Sequence, residues 1–96
     1  MLNLVVVDDN LAIRQNLKNI FSLFEEIQLL EVYTDGTEIV DRIDSLSPLP
    51  DLVLMDIEMK MMGGIEATAI LKSKYPQLRI VMLTISVNSE HILQAI

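Results

Sequence analysis

The sequence contains no cysteine. That excludes a disulfide scaffold, a thiolate zinc site and cysteine catalysis, and it fits a reducing compartment. Aromatic residues make up only 4%, too few for a stacking platform on single-stranded nucleic acid. Basic residues are scarce as well. Seven Lys and Arg face fourteen Asp and Glu, a net charge of −7, which argues against this chain gripping phosphate backbones itself. No apolar run reaches the ~18–20 residues that span a bilayer. Met1-Leu2-Asn3 lacks the basic start of a signal peptide. What is present points to one small domain: 96 residues, 51% of them hydrophobic and 22% charged. A chain of this size buries roughly 60–65% of its unfolded surface, enough for a single core. The expectation is a soluble, acidic, cytoplasmic domain.

Patterning along the chain predicts a regular alternation. Leu4 to Val7 is an unbroken β-branched run ending at Asp8-Asp9, as in a strand buried on both faces. Ile13, Leu17, Ile20, Phe21 and Phe24 then recur at helical steps, with Asp9 or Asn10 as N-cap. Leu29 to Tyr33 reads as a second strand, and Thr34-Asp35-Gly36-Thr37 as a turn with helix-capping chemistry. Ile39, Val40, Ile43 and Leu46 mark a second helix, which Pro48 and Pro50 terminate. Asp51 to Met55 is a third strand, closed by Asp56. A loop to Gly64 leads into a third helix with Ile65, Ala69 and Ile70 on its apolar side. Leu78 to Thr84 is a fourth strand, and Ser89 is placed to cap a last helix over Glu90 to Ile96. The order β-α-β-α-β-α-β-α predicts a parallel sheet covered by helices on both faces. Ligands in such sheets bind beyond the carboxyl ends of the strands, where strand order reverses.

The residues at those ends are therefore informative. Asp8 and Asp9 follow the first strand, Asp56 the third and Thr84 the fourth. Neighbouring strands lie ~4.8 Å apart, so adjacent first and third strands would crowd three carboxylates together. Their repulsion amounts to several kcal/mol at an intermediate dielectric, to order of magnitude. A hard divalent cation relieves it, and carboxylate oxygens suit Mg²⁺. Singly, each Asp reads as an ordinary solvated turn residue or N-cap. It is their joint placement with Thr84 on one edge that points to chemistry.

Three segments carry a family resemblance: Val5-Val6-Val7-Asp8-Asp9-Asn10 with Arg14, Leu54-Met55-Asp56-Ile57-Glu58-Met59 through Gly64, and Ile80-Val81-Met82-Leu83-Thr84. Together they resemble the receiver domain of two-component response regulators. Gly64-Ile65-Glu66-Ala67-Thr68, with Leu71-Lys72 and Pro76, resembles the subfamily whose receivers precede a helix-turn-helix DNA-binding domain. The resemblance implies a flavodoxin-like, doubly wound parallel sheet, here four strands in the order 2-1-3-4. It implies that Asp56 is the phosphoacceptor, attacking a phosphohistidine on a sensor histidine kinase. It implies that Asp9, Asp56 and the Glu58 backbone carbonyl hold Mg²⁺, with Asp8 acting through a bound water. Thr84 is implied as the hydroxyl that engages the phosphoryl group and biases a two-state surface. Any contact with DNA would come through a domain absent from this chain.

Three departures from the family pattern stand out. Lys60 occupies a position that is usually proline, which leaves the loop looser and adds a positive charge. Ile85 follows Thr84 where a small residue is usual. The fifth strand and last helix, with the family's phosphate-binding lysine and aromatic switch residue, have no counterpart. The expectation is thus a single receiver domain over residues 1–96, incomplete at its C-terminus, with impaired switching. An exposed fourth strand, with the segment Ser89 to Ile96 free to exchange, would favour a homodimer. Two other functions remain open: a Mg²⁺-dependent phosphohydrolase of similar fold, and a binding-only dimerisation module. Against the hydrolase, Glu58 stands where such an enzyme carries a second aspartate. His91, the lone histidine, and the methionines Met59, Met61 and Met62 read as structural or exposed residues. Gly63-Gly64 reads as a tight entry into the third helix.

Overall fold

A computed structural model describes residues 1–83. Thr84, Ile85, His91 and the helix expected over Glu90 to Ile96 lie outside the described residues. The chain forms β1 (Leu2–Val7), α1 (Leu11–Phe21), β2 (Ile27–Tyr33), α2 (Gly36–Arg42), a 3-10 turn (Ile43–Ser45), β3 (Leu52–Asp56), α3 (Gly64–Lys74) and β4 (Arg79–Leu83). All four strands are parallel, in the order β2-β1-β3-β4. Val5 pairs with Val53, Val7 with Met55, and Asp56 with Leu83.

The strand order fixes where the helices go. The step from β1 to β2 runs one way along the sheet, and the steps to β3 and β4 run the other way. Right-handed crossovers therefore put α1 on the opposite face from α2 and α3. On the α2–α3 face, Val5, Val7, Val53 and Met55 pack with Ile39, Ile43, Ala67 and Leu71 in one buried cluster. Leu4 and Val6 are also buried, and alternation along the strand puts them on the α1 face. That is why Leu4 to Val7 shows no polar alternation. The α1 helix is less deeply seated. None of its residues is fully buried, and Ile13, Leu17 and Phe21 are only partly covered.

Two helices depart from their expected faces. In α3 the inward residues are Gly64, Ala67 and Leu71, whereas Ile65 is 69% exposed and Ala69 is exposed. Gly64 sets this rotation. A Cβ there would collide with the Asp56 carbonyl oxygen, so glycine lets the helix start directly against the end of β3. The face that meets the sheet is then counted from Gly64, at i+3 and i+7. In α1 the apolar stripe stops sooner than its periodicity suggests. The helix ends at Phe21, and Phe24 lies in the following turn, donating its N–H to the Phe21 carbonyl.

Candidate acidic site at the carboxyl edge of the sheet

The sheet reverses its winding between β1 and β3, and the polar residues gather at that point. Asp8 follows the last residue of β1, and Asp56 is the last residue of β3. Because Val7 is in register with Met55, Asp8 and Asp56 emerge side by side. Carboxylate oxygens of Asp8, Asp9 and Asp56 lie within 4.8 Å of one another. Asp8 is 3% exposed, the one buried charged residue of the described chain. Asp9 and Asp56 are partly buried.

Local hydrogen bonds build the β1–α1 turn. The Asp8 N–H donates to the Tyr33 carbonyl at 3.1 Å. Asp8 Oδ1 accepts the Asn10 N–H at 2.8 Å. Asn10, rather than Asp9, caps α1: its Oδ1 accepts the Ile13 N–H at 3.1 Å. One turn into the helix, Arg14 Nη1 donates to the Asp8 carbonyl at 2.7 Å. Arg14 stood out in the sequence only as part of a motif. The structure gives it a place, as a clamp from α1 onto the acidic turn. Its charge also offsets part of the repulsion felt by Asp8.

The β3–α3 loop closes on itself. The Gly64 N–H donates to the Ile57 carbonyl at 2.8 Å, so residues 57–63 leave and rejoin the same point. Glu58 and Lys60 are exposed in this loop, and Met61 projects outward. Met59 and Met62 pack against the core cluster. These two sulfur side chains anchor the loop, as flexible apolar residues do in irregular gaps.

The electrostatics of the site are those of an unbalanced negative cluster. Burial pushes the Asp56 carboxyl up to about 6. The neighbouring Asp8 charge adds to the shift, and Asp9 adds less; the Glu58 and Ile57 backbone N–H groups offset part of it. Asp8 is also raised, first by burial and then by Asp9, with the Asn10 N–H and Arg14 working against the shift. At neutral pH the folded chain thus holds carboxylates that resist ionising together. Three oxygen donors at this spacing fit a hard divalent cation, which removes the repulsion. Arg14 hydrogen-bonds a carbonyl rather than a carboxylate and offsets only part of the Asp8 shift, so it does not replace such a cation. Of the residues expected at the site, Asp8, Asp9 and Asp56 come together. Glu58 reaches Asp56 through its N–H, and Thr84 lies outside the described residues.

Comparison with known proteins agrees with this geometry. The response regulator receiver domain family matches residues 4–96. The transcriptional regulatory protein LnrK of Bacillus subtilis is 31% identical over 96 residues, all of this chain and 43% of LnrK. The response regulator protein VraR of Staphylococcus epidermidis is 30% identical over 95 residues, 99% of this chain and 44% of VraR. The chain thus spans less than half the length of these relatives. Among solved structures, the response regulator domain of Thermotoga maritima CheB superposes with a TM-score of 0.79 at 28% identity, covering 98% of this chain and 72% of that one. A chain of the CheX–CheY–BeF3–Mg²⁺ complex of Borrelia burgdorferi gives 0.80 at 25% identity, covering 96% and 68%. The acid pair after β1, the aspartate beside it at the winding reversal and the match along almost the whole chain lead to one conclusion: this protein belongs to the response regulator receiver domain family.

Proposed function

We propose that this chain is a phosphoacceptor module that takes a phosphoryl group from a sensor histidine kinase onto Asp56. The observation that carries the reading is the meeting of Asp8, Asp9 and Asp56 oxygens within 4.8 Å at the edge where β1 and β3 end. An Asp56 carboxylate oxygen attacks phosphorus, the P–N bond of the phosphohistidine breaks, and the imidazole keeps its electron pair and is reprotonated. The product is an aspartyl phosphate. Asp9, Asp56 and the Glu58 backbone carbonyl are the proposed Mg²⁺ ligands, with Asp8 acting through water. Bound there, Mg²⁺ supplies positive charge to the transferring phosphoryl group. The CheX–CheY complex of Borrelia burgdorferi, one chain of which is similar to this protein, contains BeF3 and Mg²⁺, which supports the assignment. Thr84 is the proposed hydroxyl that engages the phosphoryl group. Its place in the chain, directly after β4, supports that role, since Asp56 is in register with Leu83.

The wider role is proposed from the relatives. LnrK is a transcriptional regulatory protein, so the proposed output is control of transcription through a separate DNA-contacting unit, in the cytoplasm. Self-association through β4 is part of the proposal. Among the described residues that strand pairs only with β3, and Val81 on it is 46% exposed. Light scattering at tens of micromolar tests it: twice the monomer mass supports a dimer, and a monodisperse monomer contradicts it.

One assay tests the phosphoacceptor reading. The chain is incubated with radiolabelled acetyl phosphate and Mg²⁺, then precipitated. Label retained in wild type and lost in Asp56→Asn supports the reading. Turnover of many phosphate monoesters without retained label would make the chain a phosphohydrolase. The absence of both label and turnover would make the chain a binding-only module.

A further inference from the structure

The turn between β2 and α2 touches both halves of the acidic site. At its start, the Tyr33 carbonyl accepts the Asp8 N–H at 3.1 Å; at its end, the Gly36 N–H donates to the Met62 carbonyl at 3.2 Å. Asp8 belongs to the acid pair that follows β1. Met62 belongs to the loop that carries Glu58. Among the described residues, no hydrogen bond joins that loop directly to the β1–α1 turn. β1 and β3 are joined directly by their ladder up to Val7 and Met55 and by a side-chain hydrogen bond between Asp8 and Asp56. Beyond the strand ends, the β2–α2 turn adds the polar link from Asp8 to Met62 of the loop.

The link is stiff. The Asp35 carboxylate accepts the Glu38 N–H at 2.9 Å, and the Glu38 carboxylate accepts the Thr34 N–H at 3.2 Å. These reciprocal bonds lock the start of α2. Gly36 is the tight point. Its φ is not positive, so its backbone conformation does not demand glycine. The available space does. A Cβ there would lie 2.6 Å from the Met62 carbonyl oxygen, 2.9 Å from Ala67 Cβ and 3.0 Å from Met62 Cβ. The closest of these is backbone, so a side chain at 36 has to displace the loop or the turn.

We propose that residues Tyr33 to Gly36 act as a strut that sets the spacing between the acid pair and the Glu58 carbonyl, with Gly36 as a positioning residue for divalent-cation binding. This rests on the Mg²⁺ reading above. Gly36 touches neither cation nor phosphoryl group and acts only through the Met62 carbonyl. Groups that orient metal ligands from behind have large effects on affinity when moved, so Gly36→Ala should weaken Mg²⁺ binding roughly ten-fold or more.

The test is displacement of Mn²⁺ by Mg²⁺, followed by electron paramagnetic resonance well below the melting temperature. Wild type, Gly36→Ala, Glu38→Ala and Ile39→Val are compared. Ile39→Val removes a methyl from a fully buried side chain of α2 without adding bulk at the Gly36–Met62 backbone contact, so it should lower stability and leave affinity at the wild-type value. Glu38→Ala loosens the turn without adding bulk and should give a smaller loss of affinity. If Gly36→Ala does not fold, Glu38→Ala carries the test. Wild-type affinity in a folded Gly36→Ala, or an equal loss in Ile39→Val, would overturn the strut alone. A wild type that binds neither ion would overturn the Mg²⁺ reading, and the strut with it.

Discussion

Two regions of the same strands differ sharply. Val5, Val53 and Met55 are fully buried in an apolar cluster. One to three residues further on, Asp8 and Asp56 sit in a like-charge cluster, and burial there raises the carboxyls instead of satisfying them. Both regions are at least partly shielded from water, but the free energies have opposite signs. Burying the valines and Met55 stabilises the fold, at roughly 25 cal/mol per Å² of apolar surface removed from water. Burying the aspartates opposes it. The chain holds the acidic cluster in place because the core upstream is rigid, and that is the arrangement a preformed cation site needs. The winding reversal between β1 and β3 makes the juxtaposition possible, since it leaves an open crevice only at the strand ends.

Mutations on the two sides of this boundary should therefore move stability in opposite directions. The largest effect belongs to the core. Leu71→Ala empties a fully buried site in α3 and should cost about 2–5 kcal/mol, measured by urea unfolding. That is a large share of the roughly 5–15 kcal/mol typical of a whole domain. An Asp56→Asn change acts on the other side. At neutral pH without metal it removes one ionised carboxylate from the cluster. It should raise stability by about 1–3 kcal/mol, allowing for the partial solvent screening of Asp56. A destabilised Asp56→Asn would break the comparison.

The pH dependence sharpens it. Asp56 is raised in the folded state to about 6 from an ordinary value of 3.8, so the folded chain holds its proton more tightly than the unfolded chain. The favourable contribution is complete below the unfolded value and is lost as pH rises through about 6. Asp8 shifts in the same direction. In metal-free buffer, the stability of wild type relative to Asp56→Asn should therefore fall as pH rises from about 4 to about 7. Saturating Mg²⁺ should abolish that fall by binding only the folded, ionised form. Parallel pH profiles for the two proteins would remove the electrostatic half of the comparison.

The smallest effect is expected far from both regions. Lys74 pairs with Asp44 at 2.8 Å on the surface, and the Tyr75 hydroxyl also donates to Asp44. Exposed pairs of this kind contribute little, so Lys74→Gln should leave the melting curve unchanged within error.

The parts of the molecule legible in the sequence were those set by short-range pattern. Leu4 to Val7 without polar alternation marked a doubly buried strand, and Asp-Asp at its end marked the site. The strand order was legible only through the family resemblance, because alternation alone fixes parallel pairing and not neighbours. The inward face of α3 was misread, since Ile65 looks apolar and Gly64 does not. The contact of Gly64 with the Asp56 carbonyl, which rotates the helix, is a tertiary fact with no local signature. Gly36 was hidden for the same reason. It read as a turn residue, whereas its need for glycine comes from Met62, distant in sequence. Arg14 was visible as a motif member, but its bond to the Asp8 carbonyl depends on how α1 leaves the turn.

The most direct measurement locates the phosphoryl group. Protein treated with acetyl phosphate in Mg²⁺ or in excess chelator is reduced with borohydride, which converts an aspartyl phosphate to homoserine, and is then mapped by peptide mass spectrometry. Homoserine at position 56, formed in Mg²⁺ and absent with chelator, is the predicted result. Modification at another residue, or equal modification at 56 without the metal, would contradict the assignment of Asp56 as a Mg²⁺-dependent phosphoacceptor.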